Sequence, residues 1–245
     1  MIYIKSDDEL NLMREPCKIV RDVLLLAEDR IQAGMTTGEL DKILHDYIVS
    51  FGAKPSFLGL YGFPCATCIS IDEQVVHGIP GNRVIKEGEI VSVDVGACIN
   101  GFHGDGARSL YVGKISAEKK RLIDVTKESF FKGIEGVLIG SPLGDIGYQI
   151  QNYVEAQGFS VVRDMVGHGI GREVHEDPQV PNFGRKGTGI RLKKNMTLAI
   201  EPMVNMGTYK VNLNGWDCIT SDKMPSAHYE NTVVITDNGV EILTL

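Results

Sequence analysis

The sequence predicts an α+β protein in which two helix–helix–strand halves pack around one polar site. Three observations point there. A pair of helical stretches opens each half, and strand-like segments follow them. A β-branched hairpin from Ile90 to Val112 carries two aspartates on one face. Glutamates and histidines then recur on or beside later apolar strands. No low-complexity linker divides the halves, so residues 1–245 are expected to form a single domain.

Ser6-Asp-Asp-Glu9 has the form of a capping box, in which two side chains satisfy N–H groups left free at a helix start. The helix behind it places Cys17, Val20, Leu24, Ala27 and Ile31 on one stripe, with Gly34 as its stop. Pro16 is expected to kink or split this helix near its first turns, because proline removes an N–H and clashes with the preceding turn. Thr36-Thr-Gly-Glu39 opens a second helix, whose stripe is Leu40, Ile43, Leu44, Tyr47, Ile48 and Phe51 and whose end is Gly52. His45 falls off that stripe and is expected to face solvent. Residues 53–66 are rich in Gly, Pro and aromatics, which suits a packed lid or pocket wall better than a connector. A strand TCISI, a turn at Asp72-Glu73 and the stretch VVHGIPG with His77 lead into the hairpin.

Asn100-Gly101 is the strongest short-range signal for a two-residue type I′ turn, which needs φ > 0 at both central residues. That turn sets Ile99 opposite Phe102, Cys98 opposite His103, Gly96 opposite Asp105 and Asp94 opposite Ala107. With a side-chain period of two, Asp94 and Asp105 share a face as diagonal neighbours, roughly 7–8 Å apart. Gly96 has no side chain to separate them. Val91, Val93, Val95, Ile99 and Phe102 leave little polar surface, so the carboxylates need a proton, a base or a cation between them. A metal site is favoured over a solvated hairpin.

The second half repeats the plan. Ser116 to about Val137 reads as helical, with Leu122, Ile123, Phe130, Ile134 and Val137 on its stripe. A further helix runs from about Leu143 to Gln157, with Ile146, Ile150 and Val154 on one face and Gly158 at its end. FSVVRD is strand-like and leads into the glycine-rich GHGIGREVHEDP. Later strands are expected at about Thr197–Val204, Tyr229–Thr236 and Val240–Leu245, the last two joined across Asp237-Asn-Gly239.

A net charge of −7 with no basic run argues against nucleic acid as the main partner. No apolar run reaches a membrane span, and the first residues do not show the charged-then-apolar pattern expected of a leader. Five scattered cysteines fit a reducing cytoplasm, and Cys65 and Cys68 read as structural thiols. The chain lacks HExxH, a nucleophile-elbow serine and a phosphate loop, and Arg172 spoils a dinucleotide reading of GHGIGR. The polar candidates are Asp94, Asp105, Glu201, Glu230, His77, His103, His168 and His175. Each alone has a plain structural explanation, but carboxylates with one or two imidazoles suit Mn, Fe(II), Co or Zn. Four carboxylates and one histidine suffice for two ions about 3.5–4 Å apart.

The stretches GMTTGELDKI, CISIDEQVVHGIP, VDVGACINGFHGDGAR, GHGIGREVHEDPQVPN, LAIEPM and SAHYENTVVIT resemble those of type I methionine aminopeptidases, over nearly the whole chain. The resemblance implies a pita-bread fold and a dinuclear site for two divalent ions. It implies Asp94, Asp105, His168, Glu201 and Glu230 as ligands, with Asp105 and Glu230 bridging. His77 and His175 are implied as non-ligand groups that contact substrate and stabilise the transition state, and Glu201 as the acceptor of the attacking water's proton. His103 receives no ligand role. Phe63, Cys68 and Trp216 map to the methionine pocket, with Leu60 or Tyr61 nearby. Val174 stands where an aromatic is frequent, and Asn195 where a glycine is. The 29 positions from Glu201 to Glu230 leave no room for the type II helical insertion, and the start at Met1 leaves none for a zinc-finger extension. The implied activity is release of N-terminal methionine before a small second residue. The implied setting is a cytoplasmic monomer acting on nascent-chain N-termini, with the ribosome as a further candidate partner. Two alternatives compete. An X-Pro peptidase of the same fold usually carries a large extra N-terminal domain, and a non-catalytic module usually loses ligands.

Overall fold

The computed structural model describes residues 1–245. Helices α1 (Asp7–Arg30) and α2 (Thr37–Ser50) are followed by strands β1 (Lys54–Pro55), β2 (Thr67–Ile71), β3 (Gln74–Val76), β4 (Ile90–Ile99) and β5 (Phe102–Tyr111). Helices α3 (Ala117–Ile134) and α4 (Gly144–Ala156) open the second half. Strands β6 (Ser160–Val161), β7 (Gly167–Gly169), β8 (Glu176–Val180), β9 (Thr197–Ile200) and β10 (Met203–Asn205) come next. The chain closes with β11 (Val211–Asn214), β12 (Asp217–Thr220), β13 (Ser226–His228), β14 (Glu230–Thr236) and β15 (Gly239–Ile242).

The local signals act as expected at the helix starts. Ser6 with Glu9 and Thr36 with Glu39 form reciprocal capping boxes, and Ser116 caps α3. Pro16 is the first difference: α1 runs unbroken through it. The helix there lies on β5 at Gly104, where a Cβ would come within 2.8 Å of the Cys17 backbone nitrogen. Proline inside a helix costs about 3 kcal/mol. Burial of Leu10, Met13, Ile19, Val20, Val23 and Leu24 on the same helix, about 1.5–3 kcal/mol per side chain, outweighs that. The helix ends at Arg30, and Gly34 takes its positive φ of 91° in the turn beyond.

A nine-stranded antiparallel sheet is the frame. Its main path is β1-β4-β5-β14-β9-β7-β8, with β2 added on β4 and β15 on β14. The β4–β5 ladder has the register read from Asn100-Gly101, including Gly96 opposite Asp105 and Asp94 opposite Ala107. Asn100 and Gly101 both take positive φ, at 57° and 76°. One sheet face packs on helices. Val91, Val93 and Val95 join a core with Val20 and Leu24 of α1 and Leu40 and Leu44 of α2. Leu198, Ile200, Val233 and Ile235 join a second core with Phe130 of α3 and Ile146 and Ile150 of α4. By the period of two, Asp94, Asp105, Ala107, Ala199 and Glu230 point from the other face.

The expected strand Thr197–Val204 is broken. β9 pairs with β14 and β7, whereas β10 leaves for a small sheet with β13 and β6. The break falls at Glu201-Pro202, where proline has no N–H for a ladder. The expected Tyr229–Thr236 strand begins one residue later, because β13 and β14 part at Tyr229. A third sheet, β11-β12-β3, carries a hairpin that hydrophobic periodicity does not announce.

Candidate metal and substrate site

Five neighbouring strands bring the predicted acidic and imidazole residues together. Asp94 lies on β4, Asp105 on β5, Glu230 at the start of β14, Glu201 at the exit of β9 and His168 on β7. Small residues make the approach possible. Ala107 separates Asp94 from Glu230 across the sheet, since it pairs with both. Gly96 has a further reason to be glycine: a Cβ there would meet Ser56 and Phe57 of the 53–66 loop at 2.7 and 2.9 Å. Asp105 is fixed to β14 from both sides of its peptide. Its N–H donates to Thr232 Oγ1 at 3.0 Å, and that hydroxyl donates to the Asp105 carbonyl at 2.8 Å. Arg108 donates to the Glu230 carbonyl oxygen and to Asn231 Oδ1, holding the start of β14.

The cluster is buried and has acceptors without donors. Asp105 and Glu230 are 3% and 2% exposed. His168 Nε2 lies 3.6 Å from Glu201 Oε1 and 3.9 Å from Asp105 Oδ2. Its Nδ1–H donates to the Gly169 carbonyl at 2.9 Å, which leaves the Nε2 lone pair facing the carboxylates. Asp94 Oδ1, Asp105 Oδ1 and His228 Nε2 are buried with no hydrogen-bond partner. Two groups of donor atoms lie within 4.8 Å of one another: Asp94, His228 and Glu230, and Asp105, His168 and Glu230.

Burial and mutual repulsion push the acids up. Asp94 rises to about 7 through burial. Asp105, Glu201 and Glu230 are held well above the carboxylate range, by burial first and by their neighbours' charges second. The bases move down: burial, then His175, takes His168 to about 4. Such a cluster is electrically incomplete. It either holds protons or takes a cation, and its oxygen-rich set with imidazole nitrogen fits a divalent metal.

Above this floor lies a cavity of about 610 Å³. Its lining includes His77, His175, Phe63, Cys68 and Trp216, together with Leu60 and Tyr61. The 53–66 loop is thus a cavity wall. Neither His77 nor His175 belongs to the two donor groups. His175 packs edge-on against His168 with ring centres 4.5 Å apart and stacks on Tyr61. His77 meets Trp216 edge-on, and burial with His175 nearby lowers its pKa. Phe63, Cys68, Phe57 and Val174 form one apolar cluster, with Leu60 and Trp216 packed on it. Val174 therefore packs behind the pocket wall, against Phe57, Phe63 and Cys68. His103 stays outside the cluster, with Nδ1 2.8 Å from Ser56 Oγ. Burial keeps the Cys68 thiol well above its usual pKa, as expected of packing rather than reactivity. Asn195 takes a φ of 63°, a conformation Asn tolerates. His45 is partly exposed beside Asp46.

Sequence patterning alone missed His228, Phe57 and Met165. His228 Nε2 approaches Glu201 Oε2 at 3.8 Å and Glu230 Oε2 at 3.9 Å. A signal existed, since a residue two before Glu230 in an extended chain shares its face. Phe57 and Met165 line the cavity from irregular segments, where no period marks a buried face.

Comparison with known proteins agrees with this geometry. The model of metallopeptidase family M24 matches residues 11–237. The methionine aminopeptidase of Clostridium perfringens is 57% identical, covering 100% of this chain and 99% of its own. The crystal structure of the Thermotoga maritima methionine aminopeptidase superposes with a TM-score of 0.98 at 45% identity, covering 100% and 99%. The Pyrococcus horikoshii prolidase superposes with a TM-score of 0.81 at 25% identity, covering 99% of this chain but 63% of that one. The shared architecture is the pita-bread fold. With a family model over most of its length and full-length relatives of one named activity, the chain belongs to metallopeptidase family M24 as a type I methionine aminopeptidase, a metal-dependent hydrolase that removes N-terminal methionine.

Proposed function

We propose that two divalent ions occupy the carboxylate floor and that methionine is released when the second residue is small. The observation that carries this reading is the pair of donor groups sharing Glu230. Asp94, Asp105, His168, Glu201 and Glu230 would hold them, with Asp105 and Glu230 as the carboxylates that would serve both ions. When bound, the ions supply Lewis acidity and a water that is nucleophilic at neutral pH. Fe(II), Mn, Co and Zn all suit the donor set.

The chain's own residues do the rest. Glu201, buried and raised in pKa, accepts the proton of the attacking water. His77 and His175 stand on the cavity wall as neutral donors toward the oxygen that develops charge at the scissile carbonyl. Phe63, Cys68 and Trp216, supported by Leu60, Phe57 and Val174, offer an apolar and polarisable pocket for a thioether. The free α-amino group enters at the acidic floor, which limits cleavage to the first residue. The next side chain lies against His77 and the loop wall, where Gly, Ala or Ser fits and Leu or Lys clashes.

Nascent-chain N-termini are the substrates of such an activity, and the ribosome from which they emerge is the further partner this reading names. Residues 1–245 act as one catalytic unit, because the main sheet runs through both halves, and the reading takes that unit as a monomer. Five free cysteines support a cytoplasmic setting. The test is digestion of Met-Ala-Ser, Met-Leu-Ser and N-formyl-Met-Ala-Ser with and without added metal. Release from the first peptide alone, and only with metal, is expected. Efficient release from the formylated peptide overturns the reading.

A further inference from the structure

We propose that His228 is a sixth protein ligand, its Nε2 binding the ion held by Asp94 and Glu230, so that each ion of the pair carries one imidazole. The inference rests on the metal-site reading above and adds a residue to it. Neither composition nor the family resemblance points to this histidine.

The geometry is that of a ligand rather than a hydrogen-bond donor. Distances of 3.8 and 3.9 Å from Nε2 to Glu201 and Glu230 oxygens are too long for a hydrogen bond. They suit two donors that share one ion: at about 2.0–2.2 Å from the ion, donor atoms stand ~3–4.4 Å from each other. His168 supplies an internal comparison, because its Nε2 stands 3.6 and 3.9 Å from the carboxylates around it. The two imidazoles therefore flank the acidic cluster at the same range, each in one of the two donor groups that share Glu230.

Burial strengthens the point. His228 is 2% exposed, and its Nε2 has no hydrogen-bond partner. A buried imidazole nitrogen left unsatisfied is destabilising, and an ion at this position removes that cost. The residue is also held in place. Its backbone N–H donates to Ser109 Oγ at 2.8 Å, and Ser109 Oγ donates to the His228 carbonyl at 3.0 Å. A ligand fixed in this way needs little ordering when the ion arrives.

The test uses the full chain and its His228→Gln and His228→Ala variants. Equilibrium dialysis with Mn(II) and Co(II) measures the number of ions and their affinities, and X-ray absorption of the Co(II) protein counts imidazoles per ion. Wild-type protein is expected to bind two ions with an average of one imidazole each. Removal of an outer partner that merely orients a ligand weakens binding about 10–100-fold. Loss of a true ligand is expected to weaken one of the two ions by about 100-fold or more while the other is retained, and at Co(II) high enough to load both sites the imidazole average is expected to fall to one half. Variants that keep two ions at wild-type affinity, or a wild-type spectrum with half an imidazole per ion, overturn the proposal while leaving the dinuclear reading intact. Wild-type protein that never binds a pair overturns the dinuclear reading itself. Circular dichroism of the metal-free variants checks folding, and His228→Gln, with an amide close in length to the ring, keeps the test valid if His228→Ala does not fold.

Discussion

The floor of the cavity is built from paired strands, and most of its wall, apart from Cys68 on β2, is built from turns. Asp94, Asp105 and Glu230 stand in or at the end of ladders whose register allows little motion. His77, Tyr61 and Trp216 stand instead on short irregular pieces. His77 has a φ of 61° and Tyr61 one of 50°. Trp216 sits beside Gly215, φ 60°, in the two-residue turn between β11 and β12. A residue other than glycine in that region costs of order 1–3 kcal/mol, which the surrounding structure must over-determine. Tyr61 is 74% exposed, whereas every floor carboxylate is largely buried. The contrast teaches a division of labour: groups that must meet within a few ångströms belong on the sheet, and groups that choose a side chain belong on adjustable turns.

The largest expected effect breaks the floor. Glu230→Gln or Asp105→Asn removes a carboxylate proposed to serve both ions, so paired metal binding and release of methionine from Met-Ala-Ser should both vanish. Metal analysis after dialysis, beside a turnover assay, checks this. Turnover by thoroughly metal-depleted Asp105→Asn protein contradicts it. Next come the wall histidines. His77→Asn, chosen because Asn tolerates positive φ, and His175→Ala should keep two ions and lose roughly 10²–10³ in kcat. A proportional loss of metal makes either residue part of the floor and erases the distinction.

A smaller change touches selection only. Trp216→Ala opens the apolar wall and should reduce the preference for Met over Leu at the first position, by up to roughly 10–200-fold, the range by which an apolar pocket tells apart side chains differing by one methylene. Metal content should stay the same, and an unchanged preference in paired kcat/KM measurements removes Trp216 from the pocket. The mildest effect is on stability. The floor carboxylates have folded pKa values raised above their unfolded ones, so their stabilisation is present below the unfolded pKa and lost as pH rises through the folded value. For Asp94 that loss runs from 3.8 to about 7. His168 and His228 have lowered values, about 4 and 3, and contribute oppositely, their stabilisation being lost as pH falls through those values. As pH rises past 6.5 they lose their charge in the unfolded state as well, and the carboxylates dominate. The melting temperature of metal-free protein should therefore fall from pH 6.5 upward, and added Mn(II) should reverse the fall. A flat metal-free profile across that window means the acids are compensated by something other than a cation.

Much of the floor is legible in the order of the residues. Asn100-Gly101 determines one register, and alternation then puts Asp94 and Asp105 on one face. The capping boxes at Ser6 and Thr36 and the stripes through Leu40, Leu44, Ile146 and Ile150 locate the helices. The turn at Asp237-Asn238 joins the last two strands as its residues suggest. Less is legible where elements are short. β1, β3, β10 and β13 have two or three residues, too few for a period to show. The sheet switch at Glu201-Pro202 is hidden in an apolar run that reads as one strand.

By itself the sequence determined what neighbours in the chain control: helix starts, hairpin register and the face each side chain takes, because these depend on backbone sterics and on hydrogen bonds within a few residues. Only tertiary structure decided that α1 would pass through Pro16, since contact with Gly104 and the sheet outweighs the local cost. Alternation puts His228 on the face of Glu230, but tertiary structure alone brought it to Glu201, because β13 meets the exit of β9 only through long-range packing that no local pattern encodes.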